Sequence, residues 1–329
     1  MDNQRRRLNG AALGGAALGL TGALAPVSSQ AADAWPSKPI RFVVPFSAGG
    51  ANDLLGRAAA EGAAKALGVT IIVENKPGAG AMLGTDYVAK APNDGYTFLI
   101  SAAGVVSNSM IRKTPYKDSD LVPVAFVGLA PSVIVVPFDA PYNDLKEFVA
   151  LSKKDNNGLH FATAGTGSTP HFVEGLLTTK YGAKLDLIPY KSGSESITAV
   201  IGKQVEATSE ASIVVLPFLK DKRLKALCTT WTSRISAYPE LSTATEQGFP
   251  DIKIAHWAGL HAPAGTPPAI LDKLAAAVDK AMKDPETVAR LKSVGIEPIG
   301  GTRASFAKFV DEERARLGSV VKATGMKED

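Results

Sequence analysis

The sequence predicts an α/β protein of two lobes, two α/β domains joined by a two-segment hinge. Three observations predict it. Between residues 40 and 101, short apolar strand-type runs alternate with helix-period segments, the pattern of a parallel sheet with right-handed crossovers. A second alternating series follows residue 136. The chain then closes on helices with no strands of their own, and packing back on the first sheet covers their apolar faces. The first lobe is therefore expected to be discontinuous, residues 36–135 plus 258–329. Residues 136–257 are expected to form the inserted second lobe.

Residues 1–32 read as a cleaved secretory signal. Arg5, Arg6 and Arg7 precede an Ala/Leu/Gly-rich stretch, and small residues around Ala31 supply a cleavage site. The glycine-broken stretch is too weak for a membrane span. This segment holds three arginines and one aspartate, so its removal takes the formal charge from +4 to +2. Near-neutral charge gives no case for nucleic acid as a partner, which wants a concentrated basic face, and none is expected. Cys228 is the only cysteine, so no intrachain disulfide forms, and its apolar neighbours place it in the core.

The first strand is Ile40, Phe42, Val43 and Val44 with Arg41, an apolar run closed by Pro45. Ser47, Ala48, Gly49 and Gly50 turn the chain, Asn52 or Asp53 is placed to cap, and a helix begins at about Leu54. Residues 69–74 are a second strand, followed by a Gly-rich turn into a helix. Residues 96–101 are a third, ending at Ala102, Ala103 and Gly104. A strand at 131–137 leaves this unit. In the second lobe, helices at 144–154, 169–181 and 194–201 alternate with strands at 160–163, 185–189, 205–208 and 224–230. Residues 254–260 return as a strand, and helices at 268–283, 285–294 and 302–324 end the chain.

In parallel sheets ligands collect beyond the carboxyl ends of the strands, which puts residues 47–50 and 101–104 on one rim. Adjacent glycines let several N–H groups point outward together, and the helix dipole behind them favours an anion. By itself the turn at 47–50 reads either as an anion seat or as a tight turn into a capped helix. Residues 163–171, Thr-Ala-Gly-Thr-Gly-Ser-Thr-Pro-His, repeat the arrangement in the second lobe, with hydroxyls added to the backbone donors. Two helix entrances facing each other across a hinge suit a small organic acid.

Enzyme constellations are weak. There is no G-x-S-x-G elbow and no H-E-x-x-H, and His160, His171, His256 and His261 match no metal spacing. Ser319-x-x-Lys322 falls on a polar helix. The rival signal is Gly78-x-Gly80-x-x-x-Gly84, which follows a strand and enters a helix as a dinucleotide-binding oxidoreductase would have it. Glu74-Asn75-Lys76-Pro77 intervenes, and the usual tight turn is lost.

The chain resembles the Bug-type solute-binding proteins of tripartite tricarboxylate transporters. The residues that carry the resemblance include WPSKPIRFVVPFSAGGAND, IIVENKPGAGAMLGTDYVAKAPNDGYTFL, ATAGTGSTPHF, PYKSG, GKQVEA, TSRISAYPELSTATEQGFP and WAGLHAPAGTPPAIL. The resemblance implies a two-lobed periplasmic binding protein of the Venus-flytrap type, monomeric, without catalysis and without a cofactor or metal. It implies a small carboxylate (a di- or tricarboxylate or an aromatic acid) handed to membrane subunits of a transporter or to a sensor kinase. Carried over by position, the first-lobe ligand loop falls on Phe46, Ser47, Ala48, Gly49, Gly50 and Asp53, with a second contact at Ser101, Ala102 and Ala103. The second-lobe loop falls on Thr163, Ala164, Gly165, Thr166, Gly167 and Ser168 with His171, and an acid facing the ligand falls on Glu210.

Four residues at three sites depart from the family. Ser47-Ala48 stand where Pro-Pro is usual, Ser192 where glycine is usual, and Glu210 where a shorter aspartate is usual. Small Ala207, Ser209 and Ala211 beside Glu210 suggest a roomier wall and a larger acid than aspartate. Trp257, on the returning strand, is placed either to line the crevice or to pack the hinge.

Overall fold

A single strand, β4 (Leu121–Pro137), belongs to two sheets and ties the molecule together. The computed structural model describes residues 35–327, so the export signal expected over residues 1–32 lies outside the described residues. In the first sheet, β1 (Ile40–Val44) lies between β2 (Ile71–Asn75) and β3 (Thr97–Ser101), all parallel. β9 (Ala255–Pro263) runs antiparallel to β3 on one side and to β4 on the other, and β10 (Glu297–Pro298) adds a short pair to β4. In the second sheet, β5 (Leu159–Thr163) lies between parallel β6 (Leu185–Pro189) and β7 (Ala207–Ala211), with β4 and then β8 (Leu224–Thr229) antiparallel beyond.

β4 changes partners in mid-strand: Leu121 to Pro131 pair with β9, and Ser132 to Val135 pair with β7. The second crossing lies beside it. Thr230 N donates to Ser132 O at 2.8 Å, and Ile254 N donates to Thr230 O at 2.8 Å.

The strand expected at 131–137 begins instead at Leu121. Pro123, Gly128 and Pro131 read as breaks, because proline removes a ladder donor and glycine weakens a strand. The structure absorbs them by register shifts between Pro123 and Ala125 and between Phe126 and Gly128. Gly128 also lets β10 approach: a Cβ there would lie 2.6 Å from Glu297 O.

The first sheet carries α1 (Ala51–Leu67), α2 (Met82–Ala89), α3 (Ala103–Ile111), α8 (Pro268–Lys283) and α9 (Pro285–Ser293). The second carries α4 (Leu145–Lys154), α5 (Thr169–Tyr181), α6 (Gly193–Ile201) and α7 (Ser212–Lys220). Helix α7, which holds Pro217 in its last turn, was not expected from the sequence.

The last helix, α10 (Arg303–Thr324), packs on β4, on α3 and on α5, so it braces both sheets. Its Phe306 brings the tip of its ring against the bare backbone of Gly259, where a Cβ would come within 2.1 Å of Cζ. Phe126, Trp257, Phe306 and Phe309 form one aromatic cluster beneath it. Cys228 is fully buried among apolar side chains, and burial pushes its thiol up.

Candidate functional site

One cavity of about 660 Å³ opens along the seam between the two sheets. Its walls are helix entrances. β1 ends at Val44, the chain turns through residues 45–50, and α1 starts at Ala51 with Gly50 as its N-cap. Gly49 sits at φ +81°, a conformation that favours glycine. Neither Asn52 nor Asp53 caps the helix, contrary to expectation. Asn52 Nδ2 donates to Trp257 O at 2.9 Å, pinning α1 to the hinge strand. Asp53 reaches back instead and accepts from Gly49 N at 3.0 Å.

The same pattern recurs around the cavity. Helices α1, α2, α3 and α5 have Gly50, Ala81, Ala102 and Ser168 at their N-caps, and no side chain caps any of them. All four N-cap residues line the cavity. Elsewhere, Asp144, Asp284 and Thr302 cap α4, α9 and α10 with their side chains, and at the cavity edge Ser192 caps α6 by accepting from Glu195 N at 3.3 Å. The first-turn N–H groups of α1, α3 and α5, with their helix dipoles, therefore converge on one space, whereas Met82 N and Leu83 N of α2 donate back to Ala79 O at 3.1 Å and Gly78 O at 3.5 Å.

Of the positions expected from the sequence, Phe46, Ser47, Ala48 and Gly50 line the cavity from the first turn. Ala102 and Ala103 line it from the start of α3. Ala164, Gly165, Thr166, Gly167 and Ser168 line it from the second-lobe loop, and Glu210 from β7. Gly49, Asp53, Ser101, Thr163 and His171 stand behind the walls and hold them in shape. Ser101 Oγ donates to Gly259 O at 3.0 Å and lies 2.8 Å from His261 Nδ1. Thr163 Oγ1 accepts from Gly165 N at 3.3 Å, and His171 Nδ1 accepts from Gly167 N at 3.2 Å.

Asp53 is a buried acid with three donors: the Gly49 N–H, Arg57 Nε at 2.9 Å and Asn75 Nδ2 at 2.9 Å. Burial opposes its ionisation, but the bonds from Arg57, Gly49 and Asn75 outweigh burial and hold its carboxyl below the usual range. It stays charged and fixes the loop. His171 is lowered to about 4 by burial and by the charge of Arg112, so it accepts as a neutral ring.

Several lining residues were not expected. Pro77 to Ala81, Arg112, residues 189–194 and His256 all face the cavity, while Trp257, expected either to line the crevice or to pack the hinge, borders the cavity and packs on Phe309. The 77–81 turn is legible in retrospect, since it leaves the carboxyl end of β2 beside β1. Its Gly84 serves packing, as a Cβ would lie 2.7 Å from Pro45 Cβ and 2.9 Å from Lys76 O. Arg112 gave no signal. It follows α3 and reaches across the seam, Nη2 donating to Thr166 O at 2.7 Å and Nη1 to Ala79 O at 3.4 Å.

The expectation of a wall widened by small residues of β7 fails on strand geometry. Side chains alternate across a strand, so with Glu210 facing the cavity, Ser209 and Ala211 face away, and none of Ala207, Ser209 and Ala211 lines it. Ser209 Oγ bonds Ser132 Oγ at 2.7 Å instead.

Residues 55–326 match the family described as the tripartite tricarboxylate transporter family receptor. BugT of Bordetella pertussis is 33% identical over 310 residues, 93% of this chain and 94% of that protein. The structure of periplasmic binding protein BugD superposes with a TM-score of 0.83 at 31% identity, covering 90% of this chain and all of BugD. An adipate complex from R. palustris gives 0.84 at 27% identity, covering 88% of this chain and 98% of that one. MatC from Rhodopseudomonas palustris with bound malate gives 0.81 at 29% identity, covering 87% of this chain and all of MatC. None of these comparisons supports a dinucleotide-binding oxidoreductase. With a receptor family matched across both sheets and a fold shared with periplasmic binding proteins, the chain belongs to the receptor family of the tripartite tricarboxylate transporters.

Proposed function

We propose that this protein captures a small organic carboxylate in the periplasm, between its two lobes, and passes it on without transforming it. The lobes are those expected, residues 36–135 plus 258–329 and residues 136–257, with their edges moved to the crossings at Pro131–Ser132 in β4 and at Ile254–Ala255 before β9. The recipient is the membrane part of a tripartite tricarboxylate transporter or a sensor kinase, and the protein works as a monomer exported by the signal at 1–32. The observation that carries this is the convergence of three uncapped helix entrances, those of α1, α3 and α5, on one cavity. Adipate and malate in two solved relatives are carboxylates of the size such a cavity holds.

Magnitudes favour a grip shared by both lobes. One helix entrance contributes about 0.3–1 kcal/mol, and up to about 2 when partly buried. Micromolar capture needs about 8 kcal/mol. Charge-assisted hydrogen bonds at about 1.5–3 kcal/mol each supply the rest only when several act together, since association itself is costly.

A thermal-shift panel tests the proposal. A carboxylate at a hundred times its dissociation constant stabilises the native state by about 2.7 kcal/mol and raises the melting temperature. The same ligand changes tryptophan fluorescence through Trp257, and Trp257→Phe reduces the change. Stabilisation by dinucleotides but by no carboxylate, or turnover of the guest, would overturn the proposal.

A further inference from the structure

Among the described residues, Glu210 is the one acid that lines the cavity. It is 4% exposed, and its Oε1 has no hydrogen-bond partner among the described residues. A Cβ on Gly193 would lie 2.4 Å from its Oε2, so the entrance of α6 closes one side of the carboxyl. From β9, His256 Nε2 stands 4.0 Å from Oε2 and 3.3 Å from Ser132 Oγ. The neighbouring positions of β4, Ser132 and Val133, carry no charge. On the β6–α6 side, Lys191 lines the cavity and Glu195 turns away to accept from the Lys191 N–H. Arg112 lies in the first-lobe wall.

No cation therefore forms an ion pair with Glu210 among the described residues, and its nearest basic group is held neutral. Burial lowers His256 to about 4, against an opposing bond involving the Ser209 backbone. Burial likewise raises Glu210 to about 8, with the Ala211 backbone pulling the other way. An ionised Glu210 would repel an incoming carboxylate at short range in a dry site. A protonated one turns an obstacle into a donor.

We infer that Glu210 is a specificity-determining residue whose protonated carboxyl donates a hydrogen bond to a second acid group of the guest, selecting diacids. The inference rests on the carboxylate-receptor proposal above. One acid group of the guest lies at the helix entrances and the other on Glu210, with a short O–H···O⁻ bond between carboxyls. The proton stays with the pair, so the guest is bound as one charge fewer than it carries in water. The sign follows: binding favours the protonated form, raises the pKa of Glu210 and takes up a proton when the empty site has lost one.

Calorimetry with adipate, hexanoate and 6-aminohexanoate, and with succinate, butyrate and 4-aminobutyrate, tests it from about pH 6 to about pH 9.5. Diacid affinity should be level below about pH 8 and fall about tenfold per unit above it. Proton uptake, read in buffers of different ionisation enthalpy, should accompany binding over that upper range. Glu210→Gln keeps a neutral donor but a weaker one, so it should bind the diacid roughly threefold to tenfold more weakly, with no dependence on pH. Monoacids binding as tightly as diacids would overturn the inference, as would a diacid affinity in the native protein that does not change with pH. An amino acid that binds more tightly as pH rises, and is lost in Glu210→Gln, would show an ionised Glu210 pairing with ammonium instead. Diacids bound with level pH profiles sink only this inference. No acid bound at any pH sinks the carboxylate-receptor proposal with it.

Discussion

Glu313→Ala protein is expected to lose about 2–4 kcal/mol of unfolding free energy. Glu313 is buried on α10, and its Oε2 accepts from Trp257 Nε1 at 3.1 Å. Arg316 clamps the same carboxylate, Nε to Oε1 at 3.0 Å and Nη2 to Oε2 at 2.6 Å, and donates to Lys253 O at 2.8 Å. One acid thereby fastens α10 to the hinge strand β9 and to the segment that precedes it. Alanine leaves the indole N–H buried without an acceptor and the guanidinium without its charge partner. The expected loss lies below that of a fully buried pair because Arg316 keeps some solvent and its bond to Lys253 O. Urea unfolding followed by circular dichroism reads the loss; a change under about 0.5 kcal/mol would show that packing alone holds the helix. Glu313→Gln keeps one acceptor for Trp257 and should lose less.

The second large effect concerns capture. Gly167→Val should weaken carboxylate binding about 10–100-fold while moving the unfolding midpoint little. Gly167 sits at φ +77°, and a Cβ there would lie 2.9 Å from Ile111 Cδ1, at the end of the first-lobe helix α3. A β-branched residue held at positive φ costs about 1–2 kcal/mol, and the overlap adds about 1–3 unless the loop moves. Moving the loop breaks the bond from Gly167 N to His171 and withdraws the α5 entrance from the cavity. The strain falls on a connecting turn, which can yield without unfolding the sheets. Calorimetry and a melting curve on the same sample separate the two quantities. Unchanged affinity would show that this loop does not touch the guest.

How far the sequence revealed the site depended on whether the signal was local. The turns at 47–50 and 163–168 were legible because glycines between an apolar strand and a helix demand a particular backbone. Asp53 was legible as a helix-entrance acid, but its partner was misjudged: it bonds Gly49 backward and Arg57 one turn on, which residue type alone does not distinguish from capping. The single length of β4 was hidden because Pro123, Gly128 and Pro131 look like breaks until β9 and β10 supply pairing around them. The reach of Arg112 to Thr166 depends on how the two sheets approach, which no spacing encodes. Uncapped helix entrances were the least visible feature, since what marks them is a bond that a nearby side chain does not make.

A crystal structure with adipate bound tests most directly whether backbone donors of both lobes grip one acid. Its carboxylate oxygens are expected about 2.7–3.2 Å from N–H groups at the entrances of α1 and α5 together. An adipate held by lysine or arginine side chains alone, or lying outside the seam, would contradict it.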